Sequence, residues 1–380
     1  MADPYQPVYL DSAEQAALFL DSISKVRVLA LDTEGASFHR FVDRIYLLQL
    51  STEHHSAIID PLHAGALPKL GALIEDREVE VIFHDADYDL RLLRQDYGWH
   101  ATHLFDTRIA AQLLGIPAFG LAALLEKFFN VKLDKQHQRA DWSMRPLTPA
   151  MLDYAAQDTR HLLDLRDELR TGLESMGRMS WAQEEFERLE SVQFAPDDPA
   201  TSFMRTKGAR DLKRRELAVL RELVAWRDGR AAALDRATFR VMGNEALFEI
   251  ARVHPRTRDA LAAIRGVPRG VLDKHALELL DAVTRGLDVP EADLPRYPRA
   301  ARWDRDPDFD ANVAKLKAVR DDAATRLKLD PGVLCARDRM EAVARRKPRA
   351  VEALAEVPEL RRWQAEVLGA DFVTALRDSA

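Results

Sequence analysis

The stretch VRVLALDTEG, residues 26–35, decides how the chain reads: an apolar run of strand length ends in two carboxylates one residue apart, Asp32 and Glu34. Residues two apart on a strand share a face, so the two acids converge on one point if the strand continues through them. Like charges held that close repel. A divalent cation compensates them, and an oxygen-only donor set favours a hard ion such as Mg²⁺ or Mn²⁺ over zinc. Taken alone, the D-x-E pattern is common and is most simply a solvated strand end.

Around this run lie IYLLQLST, SAIIDP and VEVIFHD, short runs rich in Val, Ile and Leu that read as strands. Helical spacing takes over in LPKLGALIED, YDLRLLRQDYG, DTRIAAQLLG and MLDYAAQDTRHLLDLRDELRTGL. The first two strands are joined only by GASFHRFVDR, too short for a helical crossover, so they pair antiparallel and the sheet is mixed. The expected fold is an α/β domain, a mixed sheet flanked by helices, over residues 1–200. After the polar linker FAPDDPATSF the strand signals end, and the pattern predicts two all-α units, 206–290 and 305–380, separated by the Pro-rich and charged VPEADLPRYPRAARWDRDPDFD. These two units look related, since the sequence around Pro255 and Leu261 lines up with that around Pro348 and Leu354.

Composition narrows the class. With 47% hydrophobic and 31% charged residues, the 380-residue chain is neither disordered nor membrane-spanning in character, and its single cysteine, Cys335, rules out an internal disulfide. No signal segment is recognised at the N-terminus, and the expected location is the cytoplasm. The net charge of -7 hides an asymmetry: Arg205 to Asp288 carries 18 Lys and Arg against 12 Asp and Glu, a net of +6, leaving -13 for the rest. Such a block is either a solvated surface or a phosphate-facing one.

Two further segments carry acids. In VEVIFHDADYDLRLL, Asp85, Asp87 and Asp89 crowd the turn between a strand and a helix, where acids also serve as caps, and spacing does not choose among them. In PAMLDYAAQDTRHLL, Tyr154 and Asp158 stand four apart and share a helix face.

Together these segments resemble the ribonuclease D family of the DEDD superfamily of 3′→5′ exonucleases: LALDTE is similar to its first motif, FHDADYDLRLL to its second and YAAQDTRHLL to its third. Tyr154 and Asp158 reproduce the Y-x-x-x-D of the tyrosine subtype; the histidine subtype has histidine at the position occupied here by Asp153. FDTRIAAQLLG and LDKQHQRADWSMRPLT are supporting matches, and the helical units resemble HRDC modules, as in the same family.

The resemblance implies a ribonuclease H-like fold and hydrolysis of RNA from its 3′ end to nucleoside 5′-monophosphates, in tRNA 3′ maturation or RNA turnover. It also implies two divalent ions, Mg²⁺ or Mn²⁺. Asp32, Glu34, Asp89 and Asp158 would be the metal-binding acids, and Tyr154 would orient the attacking water. The implied partner is RNA with a free 3′ end, tRNA precursors included, with no membrane and no obligate protein partner. Two departures stand out: Asp85 follows the second-motif histidine, adding negative charge there, and GASFHRFVDRIY differs from the better-known bacterial enzymes. Composition further suggests RNA contacts at Lys135, Gln136, Arg139, Trp142 and Arg145, and at the basic cluster Lys207, Arg210, Lys213, Arg214 and Arg215. His84 is read as structural. A DNA-directed 3′→5′ exonuclease and a catalytically silent RNA-binding scaffold are the alternatives.

Overall fold

The computed structural model describes residues 7–134, 136–196, 198–297 and 306–377. Six strands, β1 (Val8–Leu10), β2 (Val28–Glu34), β3 (Leu47–Ser51), β4 (Ser56–Ile59), β5 (Glu80–Phe83) and β6 (Leu104–Asp106), form one sheet in the order β1-β4-β3-β2-β5-β6. β3 runs antiparallel to β2 and β4, and the other neighbours are parallel, so the sheet is mixed as expected. The outermost strands, β1 and β6, escaped the sequence reading because each is only three residues long, too short for a period to appear.

The sheet opens where the acids lie. Pairing between β2 and β5 ends at Ala30 and Ile82, whereas β2 follows β3 as far as Glu34. β2 therefore projects beyond its parallel neighbour, and the helix that follows β5, Asp87–Tyr97, starts beside the projecting end. The expected helical stretch near residue 160 divides at His161 (φ -110°, ψ 6°) into Pro149–Arg160 and Leu162–Ser175. The break lets the first helix lie across β2, β3 and β4 while the second crosses β2 and β5. Thr148 caps the first helix by accepting from Met151 N, and Pro149 presets its first turn.

Two helical units follow, and their internal likeness is structural. The helices Arg214–Leu234, Thr238–Val241 and Asn244–Val253 recur as Phe309–Leu327, Pro331–Leu334 and Arg337–Arg346. The last two pairs are offset by the same 93 positions, and so are the left-handed residues that end the first and third helices of each unit, Asp235 with Lys328 and His254 with Lys347.

The units pack differently. Residues from Phe203 to Val283 form a core of their own, while the second unit shares the core of the α/β domain. Trp181 stacks on Trp363 with centroids 4.9 Å apart, and Glu185 accepts from Trp363 Nε1 at 2.9 Å and Arg361 Nε at 3.2 Å. Glu184 caps the helix Arg362–Arg377, accepting from Arg362 N at 2.8 Å and Trp363 N at 3.0 Å.

Candidate active site

Asp32, Glu34 and Asp158 each bring a carboxylate oxygen within 4.8 Å of the other two. The first two come from alternate positions of β2, and the third from the last turn of Pro149–Arg160, anchored by the 2.8 Å contact of Thr159 Oγ1 with Ser51 Oγ in β3. All three keep some water-accessible surface, so they line a depression rather than a sealed cavity.

Asp89 stands behind this trio. It is buried, and its Oδ1 accepts from Thr33 N at 3.0 Å and Thr33 Oγ1 at 2.6 Å, taking up backbone that β5 leaves unpaired. Of the three acids in that turn, Asp89 is the one directed to the projecting end of β2. Asp87 pairs with Arg91 at 2.6 Å, and Asp85 pairs with Arg108 and is 55% exposed. Asp85 adopts φ 68°, an uncommon conformation for a non-glycine residue. Its charge is met by Arg108 rather than left among the clustered acids.

Burial is the first cause that pushes every acid of the group toward its protonated form. Asp32 is held well above the carboxylate range by burial and then by the charges of Asp89, Asp158 and Glu34; Glu34 by burial, Asp158 and Asp89. Asp158 is raised to about 7 by burial, and Asp89 to about 7 by burial against the opposing hydrogen bonds from Thr33. Clustered oxygen donors that resist ionising without a counter-charge fit hard divalent cations. This is the arrangement expected of a metal-binding acidic centre.

Tyr154 lies one helical turn before Asp158, between His137 (5.9 Å) and Trp142 (6.0 Å) by ring centroids. Burial, then the charges of Asp158, Glu34 and Asp32, drive its acidity down, so its hydroxyl stays protonated and can donate a hydrogen bond. His84 is structural: burial, then Arg108, lowers it to about 4, and its Nδ1 bonds Thr107 Oγ1 at 2.9 Å. Asp106 clamps the same turn by accepting from Ala86 N at 2.8 Å while capping the helix Thr107–Leu113 through Arg108 N and Ile109 N.

Several expected RNA contacts are redirected. Trp142 is 1% exposed and packs against Tyr154 instead of offering a face to a base. Arg145 spends its donors internally: Nε and Nη2 form a fork on the buried Asp60 at 2.5 and 2.8 Å, Nη2 also reaches Tyr46 O, and Nη1 reaches Trp142 O and Met144 O. Arg214 and Arg215 hold the end of the helix Arg269–Asp288 and the turn after it, through Glu291 and the carbonyls of Leu287 and Leu294. Gln136, Arg139, Lys207, Arg210 and Lys213 are exposed. Lys135 lies outside the described residues. The reading from sequence missed Thr33, whose type in a strand gives no hint that its N–H and hydroxyl orient an acid 56 residues away.

Residues 7–174 match the family model described as 3′-5′ exonuclease, and residues 216–283 and 310–376 each match that of the HRDC domain. Ribonuclease D of Gluconacetobacter diazotrophicus is 31% identical over 98% of this chain and 93% of its own length; that of Granulibacter bethesdensis is 30% identical over 96% and 91%. Among solved structures, Escherichia coli RNase D superposes with a TM-score of 0.75 over 98% of this chain and 99% of its own, at 24% identity, a likeness of fold. A cysteine-to-serine mutant of the catalytic core of RRP6 from Trypanosoma brucei superposes with a TM-score of 0.64 over 74% of this chain and 81% of its own, at 28% identity. Since the likeness to the two curated relatives runs through the α/β domain and both helical units alike, the chain belongs to the ribonuclease D family of 3′-5′ exonucleases.

Proposed function

We infer that this protein is a 3′→5′ exoribonuclease that removes nucleotides one at a time from the 3′ end of RNA, and that residues 1–200 carry the chemistry while 206–290 and 305–380 form two HRDC-like units. The observation that carries this reading is the convergence of Asp32, Glu34 and Asp158 within 4.8 Å. In each cycle a water oxygen bonds to the last phosphorus, the bond from that phosphorus to the preceding 3′-oxygen breaks, and the proton given up by water balances the one gained by the new 3′-hydroxyl. The product is a nucleoside 5′-monophosphate.

Asp32, Glu34, Asp89 and Asp158 would hold two divalent ions, Mg²⁺ or Mn²⁺, which when bound activate water and neutralise charge on the phosphate. Thr33 fixes Asp89 through two hydrogen bonds to one oxygen. Tyr154 orients the incoming water with a hydroxyl that keeps its proton, and Trp142 supports that ring from behind. Exposed Gln136, Arg139, Lys207, Arg210 and Lys213 remain available to the RNA backbone, and Lys135 is proposed with them from its position in the sequence. RNAs with an unpaired 3′ end, tRNA precursors among them, are the proposed substrates, and the cytoplasm the proposed location. Among the described residues no helix is long and apolar enough to cross a membrane.

The test is a 5′-labelled single-stranded RNA beside its DNA counterpart, with Mg²⁺, Mn²⁺ or EDTA, using wild type and Asp158→Asn. A metal-dependent ladder shortening from the 3′ end, stronger on RNA and lost in the variant, is expected. Preference for DNA would reassign the substrate, and binding without shortening would indicate a scaffold.

A further inference from the structure

The turn that follows Glu34 is gripped from three sides. His39 N and Arg40 N each donate to Ala36 O at 2.8 Å, and Asp43 ties the base of the turn through Ala36 N (3.0 Å) and the Tyr88 hydroxyl (2.5 Å). Gly35 is needed at this close approach, since a Cβ there would stand 2.2 Å from Tyr88 Oη. On a second side, Arg40 Nε donates to Ser143 Oγ at 2.6 Å and His39 Nε2 bonds Arg139 O at 3.1 Å.

The third grip comes from the first helical unit. Arg240 donates to Phe38 O (2.5 Å) and His39 Nδ1 (3.2 Å), Ala237 N to His39 O (3.2 Å), and Asp235 accepts from Arg40 Nη1 (3.2 Å) and Phe41 N (3.3 Å). These bonds hold the backbone of the turn and leave the Phe38 ring outside, 46% exposed. It stands edge-to-face with Phe239, itself 53% exposed, at 6.2 Å, with the Arg139 guanidinium 5.3 Å from its centroid.

Two observations tie this exposed aromatic pair to the reaction. A cleft of about 200 Å³ runs from Glu34 and Gly35 past Tyr88 to Phe38, Gln138 and Arg139, so Glu34 and the Phe38 ring line one wall, with Phe239 set against that ring. Moreover, the helical fold does not require Phe239. At the constant offset of 93 positions the second unit builds the same short helix with Gly332 in its place, with Val333 for Arg240 and Lys328 for Asp235. The residues that grip the turn and present the second ring are therefore particular to the unit that contacts this turn.

We propose that Phe38, Phe239 and Arg139 form a stacking platform for unpaired bases of the RNA 3′ segment as it approaches Glu34, with one ring supplied by the first helical unit. The proposal rests on the exoribonuclease reading. Each base of a single strand offers a π-face that stacks on an aromatic ring whatever its sequence, and a guanidinium beside the rings adds attraction to the base and its phosphate. Bases inside a duplex have both faces occupied, so the platform selects unpaired 3′ ends.

Phe38→Ala, Phe239→Ala and the double variant are compared with wild type on a long single-stranded oligoribonucleotide and on a dinucleotide. The ratio of kcat/KM for the long over the short substrate falls on the order of tenfold per ring, through KM, and Phe239→Trp restores it. Independently of turnover, 2-aminopurine near the 3′ end of the RNA is quenched on binding to the Asp158→Asn protein and regains fluorescence when either ring is also removed. An unchanged ratio together with undiminished quenching in the double variant overturns the platform. So does an equal fall on both substrates, which would make the turn only a support for Glu34. If wild type shortens neither substrate, the exoribonuclease reading fails, and the quenching measurement still judges the platform by itself.

Discussion

Replacing one of the clustered acids by its uncharged amide is expected to stabilise the metal-free protein while abolishing turnover. Asp158 is the sharpest case, because burial alone raises it to about 7 and no hydrogen bond contributes to the shift. An unfolded aspartate titrates near 3.9, so the difference is about 3 units, and at 1.36 kcal/mol each the folded state loses about 4 kcal/mol when this carboxylate ionises. Water reaches part of the group, which reduces the figure to about 2 kcal/mol, or roughly 4–8 °C in melting temperature for a domain of this size.

The sign follows from proton uptake. Between about pH 4 and pH 7 the folded state binds the extra proton, so the stability of the wild type declines as pH rises through that window and levels off above it. Asp158→Asn removes Asp158's share of this decline and also relieves Asp32 and Glu34, both raised by the charge of Asp158. Melting in EDTA should therefore find the variant more stable at pH 8, with the gap closing toward pH 4. Millimolar Mn²⁺ should reverse the order by raising only the wild type, by about 2.7 kcal/mol at one hundred times the dissociation constant. A variant that melts at or below wild type in EDTA at pH 8, or a gap indifferent to pH, would refute the account of the site as uncompensated charge.

Three other outcomes follow from the same contacts. Because Asp89 and Asp158 are both held near 7, loading the site below pH 7 must expel protons, so the Mn²⁺ concentration for half-maximal activity should be higher at pH 6 than at pH 8; titration calorimetry in buffers of different ionisation enthalpy reads the released protons. Arg145→Ala should act on stability, costing about 3–5 kcal/mol by stranding the buried Asp60, which Arg145, His63 and Tyr9 hold at about 2 against the opposing effect of burial; Arg145→Lys should not rescue the melting temperature, since an ammonium cannot replace the two-point fork. Asp85→Asn should leave the metal requirement within about twofold of wild type and change stability by less than about 1 kcal/mol, because the charge removed is already met by Arg108 at an exposed position.

How much of this was legible in the sequence depends on the range over which each feature is set. Asp32 and Glu34 converge because strand geometry repeats every two residues, and Tyr154 shares a face with Asp158 because a helix repeats every 3.6; both follow from short-range periods written in the chain. The antiparallel start of the sheet was equally readable, since a ten-residue polar link leaves no room for a crossover. What composition could not separate was cationic side chains facing solvent from those turned inward. Arg139 and Arg145 stand six apart in one polar segment, yet one guanidinium lies over an exposed ring and the other forks onto Asp60, 85 residues away in the chain. Arg210 and Arg214 divide in the same manner: the first stays exposed over Tyr297, and the second locks a turn near residue 291. An arginine's role is fixed by what the fold brings opposite it, and that partner lies far along the chain. The same reasoning bears on GASFHRFVDRIY: its tip meets Asp235 and Arg240, which the second helical unit replaces with Lys328 and Val333. A loop and a distant helix that meet through residues absent from the corresponding helix of the second unit are better read as one device than as two separate features.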